Sequence, residues 1–315
     1  MAYQNVGTPR FLINLLEWEA LQGGSSLASG DISAVLRTLP VNKGFFAPTE
    51  LNDIPLYFNA QGLNNPSPTN GVVAILGHQN KGGKTFNVLP NEAHTDTIKI
   101  NYEYDGTTPQ NGFSIFSYTG EITGFEFLYG KMGSLFIGSY YDVPHSPDLN
   151  LTMGYEMDGV KHIRTRGGSD LISHKYHRAA TWIDGVGAWE LYGTSQGQQK
   201  LSRSGRRVWN LSFTHFQNSS VFPDTSSLTN YETTDPSGNE FSEAGNQAIE
   251  VDTLLYDDSF FGQVIHKTNG GQLPFIFQPN KDDFVFAICK LDSDFKITQV
   301  ANGVYNVKLT IREVW

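Results

Sequence analysis

The sequence predicts an all-β protein built from two β-sandwich-like domains, the C-terminal one with a single packed α-helix and a long loop. Glycine accounts for 32 of the 315 residues and aromatic residues for 13%, whereas charged residues make up only 17%. Apolar and polar residues alternate in many short stretches, which Asn-Gly and Asp-Gly pairs separate. This combination is typical of short strands joined by glycine turns and argues against a coiled coil, a helical bundle or a disordered chain.

The first 50 residues are expected to form an N-terminal arm that packs on the C-terminal domain. Phe11, Ile13 and Leu15 occupy every second position, which favours a strand. Leu12, Leu15 and Leu16 would equally suit a short helix. Both structures therefore remain open for this segment.

Residues 51–148 are predicted to form an inserted or peripheral β-sandwich of the jelly-roll type. Regular short strands with glycine turns between them, such as Asn111-Gly112, are the signature of such a fold. The candidate strands are 54–59, 71–76, 97–104, 112–118, 123–129 and 134–140.

Residues 149–315 are predicted to form a second β domain. Met153 and Tyr155 alternate on one face with Leu149 and Leu151, and Asp158-Gly159 offers a hairpin turn into a strand over 160–166. Further strands are expected at 188–192, 207–216, 273–278, 284–291 and 305–315, and a long polar loop at 217–249.

The 3.6-residue spacing of apolar residues predicts a helix over 254–267, which Asn269-Gly270-Gly271 would end. The strand alternation also predicts which side chains form the core of this domain. They are Trp209, Leu211, Phe213, Phe275, Phe277 and Ile288, with Cys289 as a buried, inert thiol beside them.

Motifs that could carry chemistry fail on inspection. Gly83-Lys84-Thr85 follows a strand, but the glycine that a P-loop needs five residues earlier is replaced by His78. His174 and His177 have cationic neighbours, which oppose a divalent ion. The sequence therefore predicts no catalytic, cofactor-binding or metal-binding residue, no cofactor, and a protein that is not an enzyme.

Charge is distributed unevenly along a chain whose net charge is −10, which argues against general nucleic-acid binding. Residues 161–207 contain nine Lys or Arg and three Asp or Glu, whereas residues 208–266 contain nine acids and no Lys or Arg. The asymmetry either forms a solvated or channel-lining face or makes complementary patches on neighbouring copies. The interface candidates are Arg164, Arg166, Arg178, Arg203, Arg206, Arg207, Asp224, Glu232, Asp235 and Glu240.

The order of motifs in the C-terminal half resembles that of the minor tail and distal tail proteins of long-tailed bacteriophages. A W-x-L-x-F strand begins at Trp209, a helix follows, and a G-x-x-x-F-x-F-x-P segment begins at Gly271. A strand carrying Cys289 comes next, and the last strand ends in Glu313-Val314-Trp315. An arginine-bearing hairpin around Arg164 would match the one that precedes the W-x-L-x-F strand in that family.

This resemblance implies a structural subunit of the virion, part of the tail tip or baseplate. It implies a homo-oligomeric ring, hexameric or trimeric, that contacts the tail tube, hub and fibres, with DNA only as cargo passing through the channel. Assembly would take place in the cytoplasm of the bacterial host. No apolar run approaches the roughly 18 residues of a membrane span, and no signal peptide is recognisable at Met1.

Two other functions remain open at this stage. A receptor- or carbohydrate-binding tail protein would stack sugars on exposed aromatic side chains. The candidates for such stacking are Tyr118, Phe125, Phe127, Tyr129, Tyr140 and Tyr141. A jelly-roll enzyme acting on glycans would need two carboxylates facing each other across a groove, and neither Glu121 nor Glu126 belongs to a recognisable cleft.

Overall fold

The computed structural model confirms the all-β prediction, since antiparallel strands dominate the chain. The structure describes residues 6–21, 27–29, 49–51, 54–58, 70–79, 86–90, 111–118, 122–127, 130–132, 134–148, 152–156, 160–174, 206–222, 258–283, 285–292 and 295–314. The predicted strands at 97–104 and 188–192, and nearly all of the predicted loop 217–249, lie outside these residues. Among the described residues, no helix has the length and apolar character needed to cross a membrane.

Eighteen strands are described, together with two short α-helices and one π-helix. In chain order they are β1 Arg10–Asn14, α1 Leu15–Leu21, β2 Leu27–Ser29, β3 Thr49–Leu51, β4 Ile54–Phe58, β5 Gly71–Gln79, β6 Phe86–Pro90, β7 Asn111–Tyr118, β8 Ile122–Phe127, β9 Gly130–Met132, β10 Ser134–Asp142, β11 Thr152–Glu156, β12 Val160–Arg164, β13 Asp170–His174, β14 Arg206–Gln217, α2 Asn218–Val221, the π-helix Phe261–His266, β15 Phe275–Gln278, β16 Ala287–Leu291, β17 Lys296–Ala301 and β18 Val304–Glu313.

One large antiparallel sheet holds twelve of the strands. Its order is β11-β14-β18-β16-β15-β1-β10-β5-β9-β3, with β17 beside β18 and β7 beside β5. A four-stranded sheet follows the order β2-β4-β8-β6, and β12 pairs only with β13. The large sheet takes strands from all three predicted segments, and the division of the chain into separate domains stays a prediction.

The N-terminal segment resolves the choice between strand and helix by using both in succession. β1 lies between β10 and β15, so that Phe11 stands opposite Tyr141 on one side and Phe277 on the other. α1 begins directly after β1 at Leu15. The approach of β10 to this corner is close, because a Cβ atom on Gly138 would overlap the carbonyl oxygen of Ile13.

The six predicted core side chains are all buried, as is Cys289, which confirms both predictions. All of them except Ile288 belong to one apolar cluster that also takes in β1 and the π-helix. Aromatic rings form its centre: the ring of Phe11 lies 5.4 Å from that of Phe275, and the ring of Trp209 meets that of Phe277 edge-on at 5.2 Å. The inward alternation along β14 and β18 thus identified a real core.

The predicted α-helix over 254–267 is corrected in type and length. Residues 254–257 lie outside the described part of the chain, and residues 261–266 form a π-helix rather than an α-helix. The bond from the amide of Gly270 to the carbonyl of Ile265, 2.8 Å long, extends this wider five-residue spacing beyond the last turn. The predicted stop is confirmed, since Asn269, Gly270 and Gly271 all have positive φ, which ends a helix.

The pairing predicted around Asp158-Gly159 is wrong. β11 pairs with β14 and β12 pairs with β13, so β11 and β12 do not form a hairpin with each other. The face that carries Met153 and Tyr155 does continue the core face, because these residues stand opposite Trp209 and Arg207. Both side chains are nevertheless exposed, since β11 is the last strand in the order of the sheet.

Candidate interaction surface

Residues 152–156 and 160–174 are largely exposed, and we call them the exposed arm. It contains β11 at the edge of the large sheet and the separate hairpin of β12 and β13. Every side chain described in 152–156 and 161–173 is exposed, except that of Thr165, which is half-buried. Isolated two-stranded hairpins are at best marginally stable in water.

Apolar side chains are concentrated on the exposed arm. Five of the seven large apolar side chains that are exposed in the described part of the chain belong to it. They are Met153, Tyr155, Ile163, Leu171 and Ile172. This concentration makes the arm a candidate interaction site, whereas single exposed apolar side chains are ordinary features of a surface.

The strand register sorts the hairpin side chains onto two faces. Ile163 stands opposite Leu171, and the next pairs along, on the other face, are His162 with Ile172 and Arg164 with Asp170. We call the surface of Ile163 and Leu171 the apolar face. The other face is mainly polar. There Oδ1 of Asp170 lies 3.2 Å from Nε2 of His162 and 3.5 Å from Nε of Arg164.

The tip of the hairpin is held by its own hydrogen bonds. The amide of Thr165 donates to the carbonyl of Ser169 at 2.8 Å, and the amide of Gly168 donates to the carbonyl of Thr165 at 3.0 Å. Gly168 has a φ of 84°, a conformation that glycine adopts without strain. The hairpin therefore presents its faces in a defined geometry.

The candidate interface arginines fall into different environments. Arg164 and Arg166 lie exposed on the hairpin, whereas Arg206 is half-buried. Burial, and to a smaller extent the charge of Arg312, lowers the pKa of Arg206. The candidates that lie outside the described residues are Arg178, Arg203, Asp224, Glu232, Asp235 and Glu240. The structure thus places only Arg164 and Arg166 together on one exposed element.

Arg207 is corrected from an interface candidate to a core residue. Its guanidinium donates to both carboxylate oxygens of Glu313, at 3.0 and 2.9 Å, and also to the carbonyl of Phe286 at 3.0 Å. The two charged side chains are only 4% and 1% exposed. Burial lowers the pKa of Arg207, but the charge and hydrogen bonds of Glu313 outweigh burial and hold the pKa above its ordinary value.

Sequence reasoning missed this ion pair, although its members lie in two of the recognised motifs. Arg207 comes two residues before Trp209, and Glu313 belongs to the last motif of the chain. Alternation would have detected it, since Arg207 occupies an inward position of β14. A charged residue at such a position requires a buried partner of opposite charge.

The motif strands are neighbours in the sheet. β14, β18, β16 and β15 follow one another in that order, so the W-x-L-x-F strand, the last strand, the Cys289 strand and the F-x-F strand form one block. The π-helix packs against the same core.

No protein-family model matches the chain, and no curated protein or solved structure matches it either.

Two of the aromatic candidates for sugar stacking, Tyr140 and Tyr141, already pack against other side chains of the protein. Tyr141 is buried, and the guanidinium of Arg10 lies 4.1 Å from the centre of the Tyr140 ring. Arg10 is itself bound to Asp142, which holds it in place. The side chains of Tyr118, Phe125, Phe127 and Tyr129 lie outside the described set. Nor do three His, Cys, Asp or Glu side chains converge on a metal site anywhere in the described ranges.

Lys267 is a buried amine just after the π-helix. Its Nζ donates to Oε1 of Gln263 at 2.7 Å. Burial lowers the pKa of Lys267 from 10.5 to about 8, and the charge of Asp258 offsets part of this effect. A cation held in this position opposes folding, because its desolvation is only partly compensated.

Lys267→Met should raise the free energy of unfolding at pH 7 by about 2 kcal/mol, the cost of the buried charge less the lost hydrogen bond. The unfolded chain keeps this proton up to a pKa near 10.5, whereas the folded chain releases it near 8. Wild-type stability should therefore rise between these pH values, and the variant should lose that rise. Urea unfolding at pH 7 and pH 10 measures both effects. Lys281→Met at an exposed site is the control, and an unchanged pH profile in Lys267→Met would contradict the assignment.

Proposed function

We propose that this protein is a structural subunit of the tail tip of a long-tailed bacteriophage, a ring-forming protein of the distal-tail or minor-tail kind and not an enzyme. The observation that carries the proposal is the adjacency of the motif strands. Motifs that are separated by up to about a hundred residues along the chain meet in one sheet block, β14-β18-β16-β15, over a common core. A recurring order of motifs has a physical basis when its members build a single folded unit.

The pairing of Arg207 with Glu313 supports the same proposal. It ties the first motif strand to the last one across a buried ion pair that spans 106 residues of sequence. A buried pair of this kind fixes which strands lie side by side more than it adds to stability. The resemblance of both motifs to the tail protein family then reflects one structural constraint.

Assembly into a ring also suits the surface of the chain. A ring subunit needs elements that reach its neighbours, and the exposed arm offers large apolar side chains that are exposed in the single chain. In this function the virion is the location of the protein, and its partners are other copies of itself and the adjoining tail proteins.

Light scattering of the purified protein, combined with antibody labelling of intact particles under the electron microscope, tests the proposal. We expect a mass several times the 34.9 kDa of one chain, and label at one end of the tail. Label on the capsid, or particles that carry no label, would reject the proposed function. Anti-tail-tube antibody provides the positive control for access to the particle.

A further inference from the structure

We infer that the apolar face of the β12–β13 hairpin docks on the exposed β11 edge of a second copy of this chain, where Met153 and Tyr155 lie. The inference rests on the proposed tail-tip function, in which that copy is the next subunit of the ring. The contact joins Ile163 and Leu171 of one copy to the edge of its neighbour. Each subunit then contributes one hairpin and one edge.

Both surfaces of this contact are apolar and exposed in the single chain. Ile163 is 46% and Leu171 59% exposed, while Met153 and Tyr155 on the receiving edge are 38% and 41% exposed. Met153 and Tyr155 continue the core face onto β11, the last strand of the sheet, so the core face ends there in exposed apolar side chains. Covering two such surfaces with each other removes apolar area from water on both sides.

Charge favours a copy of this chain as the occupant. The hairpin carries Lys161, Arg164 and Arg166 against the single acid Asp170, whereas the whole chain has a net charge of −10. A cationic arm is attracted to an anionic body of the same kind, and this attraction speeds encounter and fixes orientation. A basic partner would be repelled by the cationic hairpin.

The arrangement also permits closure into a ring. The hairpin and the β11 edge are different surfaces, so the contact is heterologous, and each copy still has one of the two surfaces available for a further neighbour. Heterologous contacts of this kind generate a closed ring when the rotation closes. A twofold dimer would instead require one surface to meet itself.

The first test is Ile163→Asp combined with Leu171→Asp. Placing carboxylates at the centre of the contact should weaken self-association by about tenfold or more, measured by analytical ultracentrifugation over a dilution series. Val300→Asp is the matched control, because Val300 is 52% exposed on β17 of the large sheet, outside the arm. Thermal melting should match wild type for both variants, since none of these side chains is part of the core.

The second test uses engineered cysteines and does not depend on weakened assembly. Cys289, the only cysteine, is fully buried, so Leu171→Cys with Met153→Cys would supply the reactive thiols. Oxidation should give covalent chains of subunits with this pair and only background cross-linking with Leu171→Cys and Val300→Cys. Equal cross-linking in both pairs would overturn the docking site.

Other occupants give distinct results. If the double Asp variant keeps its oligomeric mass but is missing from particles, the arm binds another tail protein and the inference is wrong. If it keeps both its mass and its place in particles, the arm is not an assembly surface, which overturns the inference while the proposed function stands. Wild-type protein that is monomeric and absent from particles would reject both.

Discussion

Arg207→Ala is expected to lower the free energy of unfolding by about 3–5 kcal/mol, because it leaves the carboxylate of Glu313 buried without its cation. That carboxylate also accepts a hydrogen bond of 3.0 Å from the backbone amide of Arg207, but one amide cannot replace the charge of the guanidinium. Urea unfolding followed by tryptophan fluorescence measures the loss.

A matched control lies in the same sheet. Arg312 binds Glu156, but the two side chains are 33% and 46% exposed, so Arg312→Ala should cost no more than about 1 kcal/mol. The double replacement Arg207→Met with Glu313→Leu should recover most of the stability, since no unpaired charge remains. Equal losses for Arg207→Ala and Arg312→Ala would mean that the buried pair does not form.

Phe275→Ala and Trp209→Ala should each cost about 3–5 kcal/mol, because each leaves a cavity in a close-packed core. Phe275 is fully buried against Phe11, and Trp209 packs edge-on against Phe277. Thermal and urea unfolding of the purified variants give the two values independently.

Val300→Ala is the control for these truncations, since its side chain faces solvent and should change stability by less than about 0.5 kcal/mol. A melting temperature of Phe275→Ala equal to that of wild type would contradict the burial of β15. The same result for Trp209→Ala would contradict the inward face of β14.

Local sequence pattern succeeded where one physical rule decided the outcome. Strand alternation predicted the buried faces of β14 and β18, because successive side chains in a strand point to opposite sides. The run Asn269-Gly270-Gly271 predicted a helix end, because positive φ costs glycine nothing and asparagine little. These rules need only neighbours along the chain.

Pairing across the chain was beyond those rules. The prediction that Asp158-Gly159 joins β11 to β12 failed, because the local turn signal does not say which distant strand competes for the same edge, and β14 does. The inclusion of Arg207 among the interface residues failed for a related reason. Its charge indicated a surface position, and only the arrival of Glu313 from the far end of the chain allowed its burial.

The sequence by itself determined that this protein is made of strands, which residues form its core and where its helical segment ends, since all of these follow from the spacing of apolar residues and glycines. Only the tertiary structure decided that β1 lies between β10 and β15, that the helical segment is a π-helix, and that the described side chains of the arm are largely exposed. The physical reason is that alternation shows which side chains share a face. Whether that face is covered depends on segments distant in sequence, and the apolar face of the hairpin and the β11 edge both keep exposed apolar side chains.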